Sequence, residues 1–159
     1  MRRLVIAVLI TFILPANAQQ PATTKRHQHS STKPDAGDTR QLVSFPKAMR
    51  EHTLANMRDH LLALQEIQAA LSKQKYDIAA DVAEQRLGLS SLGLHGAHEV
   101  AKYMPKAMQD SGAAMHKSAS RFVIASHNAA ATGDVKPALA ALAELTGACV
   151  ACHAGFRLN

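Results

Sequence analysis

Two cysteines and a histidine near the end of the chain have the spacing of a heme-attachment motif. Cys149-Val150-Ala151-Cys152-His153 reads C-x-x-C-H, and the sequence contains no other cysteine. On a helix, positions i, i+3 and i+4 share a face, so two thiols can bond a porphyrin while the adjacent imidazole reaches its iron from the same side. The motif therefore predicts one covalently bound heme c, with Cys149 and Cys152 as the thioether residues and His153 as the proximal iron ligand.

Three other uses of a cysteine pair compete with heme attachment. A thioredoxin-like pair places its reactive cysteine at the start of a helix that follows a strand, whereas this pair lies near the end of a chain rich in helix formers. A zinc site would need a fourth ligand and usually a second cysteine pair. A disulfide across two intervening residues would strain a helix. Heme attachment fits these residues better than any of the three.

The second axial position of the iron has two candidate ligands on the first predicted helix, Met57 and His60, which are three residues apart. In an antiparallel bundle the end of the last helix lies beside the beginning of the first, which would bring Met57 to the level of His153. A methionine at helical spacing more often only packs in a core. The residues therefore leave three states open: ligation by Met57, ligation by His60, or an open sixth position. The remaining methionines of the predicted domain are interpreted as core residues: Met49, Met104, Met108 and Met115.

The beginning of the chain is typical of an exported protein. Arg2 and Arg3 precede an apolar run over residues 4–14, and Ala16-Asn17-Ala18 supplies the pattern that signal peptidases cleave. The apolar run is shorter than the about 20 residues that a membrane span needs. Residues 1–18 are therefore predicted to be a signal peptide cleaved near Ala18, and the mature protein is expected to be soluble and periplasmic.

The segment after the predicted signal peptide is polar. Residues 19–43 are polar, contain Pro, Ser and Thr, and lack an apolar period, so they are predicted to be a flexible linker.

The formal net charge is +6 for the whole chain. Loss of the signal peptide would reduce this mild excess, and no basic stripe with interleaved aromatic residues is present. Nucleic acid is therefore not expected as a partner.

Residues 44–159 are predicted to form one all-α domain. Glycine and proline are sparse, aromatic residues make up 4% of the chain, and alanine and leucine dominate, which favours helices over sheets. Four helices joined mostly by short links indicate an up-down-up-down antiparallel four-helix bundle with heme attached near its C-terminus, and no strand is predicted. The predicted helices span about residues 46–73, 77–89, 105–131 and 134 to near the C-terminus.

Each predicted helix has an apolar stripe that should face the core. Small residues in the third stripe leave room for a bulky group. Residues 90–104, which contain Gly93, Gly96, His95 and His98, are predicted to be an irregular crossing. The inward residues are Leu54, Met57, Leu61, Leu64 and Leu71 in the first helix; Ile78, Val82 and Leu89 in the second; Met108, Gly112, Met115, Ala119, Phe122, Ser126 and Ala129 in the third; and Leu139, Leu142, Leu145, Cys149, Cys152 and Phe156 in the fourth.

These motifs together resemble the class II c-type cytochromes, that is, cytochrome c prime and its low-spin, methionine-ligated relatives. In that family the C-x-x-C-H motif stands near the end of a four-helix bundle, and here Phe156-Arg157 looks like the aromatic-basic pair that follows it. Tyr76-Asp77 is similar to the pair that opens the family's second helix, and counting back from it lands on Met57. The resemblance covers about residues 45–159. The crossing with His95 and His98 departs from the family pattern and has no assigned role.

The resemblance implies a function as well as a fold. Methionine at position 57 implies a six-coordinate, low-spin heme that carries electrons between redox partner proteins, without substrate chemistry, so the protein is not expected to be an enzyme. An apolar residue in the role of Met57 would imply a five-coordinate heme that binds nitric oxide or carbon monoxide, and this gas-binding function is the alternative. A homodimer is common in the family, but the residues leave the oligomeric state open.

Overall fold

The computed structural model describes residues 37–159, so the predicted signal peptide and most of the predicted linker lie outside the described residues. Most of the described chain is helical, which confirms the all-α class in its coarse form. The elements, in chain order, are β1 (Gln41–Val43), α1 (Lys47–Leu71), α2 (Tyr76–Arg86), a single 3-10 turn (Leu89–Ser91), α3 (Ala97–Ala101), α4 (Lys106–Thr132), α5 (Lys136–Gly155) and β2 (Phe156–Leu158).

The ends of the long helices follow from local sequence. Pro46 and Pro105 immediately precede α1 and α4, because proline fits a helix start, where its missing N–H is not needed. Gly133 ends α4 with a left-handed backbone (φ 76°), and Asp134 accepts a hydrogen bond from the Lys136 N–H at 3.0 Å, as expected for a stop and restart. α2 begins at Tyr76 rather than after a cap at Asp77, which lies in its first turn.

The helices pack in a chain of neighbours. α1 lies against α2, α2 against α4, and α4 against α5, whereas α1 and α5 are not a closely packed pair. The main core lies among these helices and is centred on Ile67, Phe122 and Leu145, which are completely buried. A second, smaller cluster contains Val43 and Phe45 and lies where the two strands meet.

The described residues contain two strands, so the expectation of a strand-free domain was wrong. β1 and β2 pair in parallel, with Gln41 opposite Phe156 and Val43 opposite Leu158. The predicted linker is therefore ordered at Gln41–Val43, and Phe156 ends the inward stripe of the last helix by entering a strand. Three residues are too few to show an alternating pattern, and their partners lie more than a hundred positions away in the sequence.

Several residues of the predicted inward stripes are exposed. Leu61 is 67% exposed, and Ile78, Leu89 and Leu139 are about half exposed. The buried positions of α2 are instead Ala79, Ala80 and Ala83, because small residues let neighbouring helices approach closely. The stripe of α4 is confirmed, since its residues are buried apart from the partly exposed Gly112: Met108, Met115, Ala119, Phe122, Ser126 and Ala129.

The predicted irregular crossing contains more order than expected. It folds into the 3-10 turn, an aperiodic stretch and the short helix α3, which starts after Gly96 in the left-handed region (φ 58°). The carbonyl oxygen of His95 accepts hydrogen bonds from His52 Nε2 at 2.9 Å and from Asn56 Nδ2 at 3.2 Å. The crossing is therefore fastened to α1.

Candidate heme-attachment site

The two cysteines lie on the inward face of α5, one turn apart. Both are half-buried free thiols. Cys149 packs against the main core, and Cys152 packs against the smaller cluster that includes Phe45. They continue the face that buries Leu142 and Leu145, in agreement with the sequence prediction for these four positions. The thiols are thus held at the junction of two apolar clusters.

The electrostatics of the two thiols differ from those of a redox-active pair. Burial raises the pKa of the Cys149 thiol above its ordinary value. Burial also raises the pKa of the Cys152 thiol, and the neighbouring Cys149 adds to this effect. Reactive cysteine pairs have a lowered pKa, because the thiolate is the attacking species. The arrangement therefore disfavours thioredoxin-like chemistry and suits two neutral thiols that are joined covalently to a cofactor.

His153 follows Cys152 in the last turn of α5, and its side chain is exposed. Its backbone carbonyl accepts a hydrogen bond from Arg40 Nη1 at 3.5 Å. Three residues later the chain enters β2 and pairs with β1. His153 is thus placed where α5 meets the segment that leads into α1, with an imidazole that remains accessible to an iron ion.

Met57 lies on a second apolar face of α1. Leu54, Met57, Leu61 and Leu64 follow one another at helical spacing on a face rotated by about 100° from the buried one. Met57 is half-buried and belongs to neither cluster of buried residues in the described chain. The Met57 thioether therefore does not contribute to either cluster.

His60, the other candidate ligand on α1, points elsewhere. It is 7% exposed, and its Nε2 atom lies 3.4 Å from Nε2 of His95. Burial, together with the neighbouring His95 and His116, lowers the pKa of His60 to about 4. His60 is already enclosed by other side chains, so of the two candidates Met57 is the one whose side chain stays available.

Parts of the apolar surfaces of α5 and α1 are exposed. By length and composition α5 is the one described helix apolar enough to cross a membrane, yet only 17% of that apolar stretch is buried. Val150 on α5 and Leu61 on α1 are 63% and 67% exposed, and the two helices are not closely packed together. A porphyrin bonded to both thiols would cover apolar surface that the protein leaves bare, so the residues fit the group.

The structure also shows a feature that the sequence interpretation missed. Nothing in the sequence singles out His116, and His95 has no role assigned from the sequence. In the structure their rings lie close to that of His60, and the centroids of His95 and His116 are 5.4 Å apart. Spacing along the sequence could not reveal this group, because its members come from three different elements.

Comparison of the chain with protein-family models, with curated proteins and with solved structures finds no match. The function is therefore inferred from the residues and geometry of this chain.

Proposed function

We propose that the protein is a periplasmic c-type cytochrome that carries single electrons between redox partner proteins. One heme c is held by thioether bonds to Cys149 and Cys152, and His153 is its proximal ligand. The observation that carries the proposal is the C-x-x-C-H sequence on a helix whose two thiols face inward beside uncovered apolar surface. We further propose that α1, α2, α4 and α5 form an antiparallel four-helix bundle.

Packing at the ends of the chain supports the bundle. The parallel pairing of β1 with β2 brings the segment before α1 next to the segment after α5. Met49 of α1 and Cys152 of α5 pack against the same small cluster, so the first turn of α1 lies near the last turns of α5. Helices that run in opposite directions from this shared end would complete the arrangement.

The residues of the chain have distinct roles in such a cytochrome. Heme supplies reversible one-electron exchange at its iron. Cys149 and Cys152 fix the orientation of the porphyrin, and His153 holds the iron from the α5 side. Met57 is proposed as the distal ligand, because a neutral thioether raises the reduction potential relative to a second histidine. The apolar face around Leu54 and Leu64 excludes water and shifts the potential in the same direction.

An optical spectrum of the purified protein, oxidised and then reduced, with and without carbon monoxide, tests this proposal. The expected result is a low-spin spectrum in both states that carbon monoxide does not change. A high-spin spectrum that changes at once on addition of carbon monoxide would instead establish the alternative function, a five-coordinate gas-binding protein. One observation favours that alternative, namely that Met57 belongs to neither of the two clusters against which Cys149 and Cys152 pack. A protein without heme absorbance would contradict both.

A further inference from the structure

Three histidine rings come together away from the cysteine motif. His60 comes from α1, His95 from the stretch before α3, and His116 from α4. The ring centroids are 4.7 Å apart for His60 and His95, 5.4 Å for His95 and His116, and 6.3 Å for His60 and His116. His60 and His116 are less than 10% exposed, so most of this group is shielded from solvent. In the proposed cytochrome, with Met57 as the distal ligand, these side chains have no assigned role.

We propose that His60, His95 and His116 form a second metal site, which binds one divalent first-row transition ion of the Zn²⁺ type. Imidazole is a preferred ligand of Zn²⁺, Cu²⁺ and Ni²⁺. Three imidazoles with one open position make up a common zinc coordination set. The site is separate from the heme-attachment motif, so the inference does not depend on the proposed electron transfer.

The spacing of two nitrogen atoms is the first argument. Nε2 of His60 and Nε2 of His95 are 3.4 Å apart. Two imidazole nitrogens bound tetrahedrally to one Zn²⁺, each at about 2.0–2.1 Å, are separated by about 3.4 Å. An N–H···N hydrogen bond between the rings would be expected to be shorter, at about 3.0 Å. The observed distance therefore fits two ligands of one ion better than a direct hydrogen bond.

The hydrogen bonds of the outer ring atoms are the second argument. Nδ1 of His116 lies 2.7 Å from the carbonyl oxygen of Leu87, so it carries a proton and donates it. The hydroxyl of Ser91 donates to the carbonyl oxygen of Gly88 at 2.7 Å, so its oxygen can accept from His95 Nδ1, which lies 3.5 Å away. In the neutral ring, a proton on Nδ1 leaves Nε2 free to bind a metal ion.

This tautomer is the one that metal-binding histidines adopt, because a backbone carbonyl or another acceptor fixes the outer N–H and leaves the inner nitrogen free. The acceptors for both rings lie in one stretch of chain, residues 87–91. The stretch therefore serves as a common outer support for two of the three ligands.

One ligand has to move for the site to close. As the side chains stand, residues 37–159 contain no set of three His, Cys, Asp or Glu donors at metal-ligand spacing. In a tetrahedral site with three imidazoles the ring centroids would be about 5 Å apart. The His60–His95 and His95–His116 distances of 4.7 and 5.4 Å are close to this value, and the His60–His116 distance of 6.3 Å is longer. A shift of about 1 Å by the His116 ring toward His60 would bring the third centroid distance to this value.

Zinc binding by the full chain tests the proposal. The histidines of the N-terminal segment are first replaced (His27→Ala and His29→Ala), so that they cannot bind the ion. The protein is treated with a chelator, dialysed, and titrated with Zn²⁺ while bound metal and heat are measured. We expect one Zn²⁺ per chain, and a thermal unfolding midpoint that rises with the Zn²⁺ concentration. His60→Gln, His95→Gln and His116→Gln should each weaken binding by about 100-fold or more, since even outer-shell changes cost 10–100-fold.

Matched controls separate a metal site from a buried histidine network. His127→Gln changes an exposed histidine of α4 that pairs with Asp77, and it should leave Zn²⁺ affinity within about twofold. Helical circular dichroism shows whether each variant folds, and the conservative change His116→Cys, which retains a zinc ligand, should restore much of the binding lost in His116→Gln. Failure of the parent protein to bind Zn²⁺, or equal affinity in the cluster variants and His127→Gln, would overturn the proposal. The rings would then be a metal-free polar network, whatever the heme spectrum shows.

Discussion

The side-chain amide of Asn159 pairs with both backbone polar groups of Phe45. Its Oδ1 accepts a hydrogen bond from the Phe45 N–H at 3.2 Å, and its Nδ2 donates to the Phe45 carbonyl at 3.5 Å. The Asn159 N–H also donates to the carbonyl of Val43 at 3.3 Å. Phe45 is only 4% exposed, so its backbone groups have limited access to water. The chain that follows the cysteine motif is thus fastened directly to the chain that enters α1.

Replacement of this amide should loosen that connection. We expect Asn159→Ala to lower the free energy of unfolding by about 1–2 kcal/mol, because two backbone groups of Phe45 lose their partner. Urea denaturation followed by circular dichroism gives the value. Asn128→Ala removes an exposed amide on α4 and serves as the control, with an expected change within about 0.5 kcal/mol. Equal effects of the two substitutions would show that the amide pair adds nothing to stability.

A methyl group at position 96 should also be costly. Gly96 has a left-handed backbone (φ 58°), and an added Cβ would lie 3.2 Å from Nε2 of His52, the atom that donates to the carbonyl of His95. Gly96→Ala is expected to destabilise the protein by about 1–2 kcal/mol in thermal or urea unfolding. Gly112→Ala in α4 meets nothing within 4 Å and should instead stabilise by up to about 1 kcal/mol. The two substitutions should therefore change the free energy of unfolding in opposite directions, and changes of the same sign would contradict this account.

Glu84 should make stability depend on acidity. Its carboxylate accepts hydrogen bonds from the backbone N–H and hydroxyl of Ser90, at 3.0 and 2.6 Å, and from the hydroxyl of Ser120 at 2.7 Å. Burial raises the pKa of Glu84, but the hydrogen bonds together lower it by more than burial raises it. The pKa of Glu84 therefore lies below its ordinary value. A carboxyl group with a lowered pKa stabilises the fold above its unfolded-state pKa, and this stabilisation is lost as the pH falls through the folded-state value.

The corresponding variant is Glu84→Gln, whose amide has one acceptor oxygen where the carboxylate has two. At about pH 7 it should unfold about 1–2 kcal/mol more easily than the parent protein, and the difference should shrink as the pH falls toward about 3. Urea midpoints over this pH range measure it. Glu144→Gln alters an exposed carboxylate 4.0 Å from Arg121 and is expected to have little effect at any pH. A difference that stays constant with pH would contradict the role given to Glu84.

The distal ligand can be identified by three variants. If Met57 is the ligand, Met57→Leu should convert the reduced protein to a high-spin form that binds carbon monoxide at once. His60→Gln should leave the low-spin spectrum unchanged, because His60 is enclosed by His95 and His116. Met49→Leu is the matched methionine control, since Met49 packs against the smaller cluster. A low-spin spectrum that survives in Met57→Leu and is lost in His60→Gln would assign the position to His60 instead.

The sequence predicted the long helices well, because their signals are local. Proline before α1 and α4, glycine after α4, and the regular spacing from Met108 to Ala129 each act within a few residues. The heme-attachment residues are also a local signal, since Cys149, Cys152 and His153 are contiguous on one helix. The structure agrees with the inward placement of both thiols. Heme attachment itself stays a prediction.

Features that depend on distant residues could not be read from the sequence. The pairing of Gln41–Val43 with Phe156–Leu158 and the meeting of His60, His95 and His116 join segments far apart in the chain. Leu61 and Ala63 show the same difficulty within one helix. Hydrophobicity favours leucine for the core, yet close approach of α2 buries the small alanine and leaves Leu61 67% exposed. Size complementarity between α1 and α2 determines which of the two residues is buried. This complementarity cannot be read from a single sequence.

The most direct test asks whether a heme is bonded to the two cysteines. The chain is produced in a host that attaches heme to C-x-x-C-H motifs, then extracted with acidic acetone and separated on a denaturing gel that is stained for heme. The account predicts that colour and heme stain stay with the polypeptide, that no thiol reacts in the unfolded protein, and that a Cys149→Ala/Cys152→Ala variant loses the stain. A colourless protein, or a pigment that passes entirely into the acetone, would contradict it.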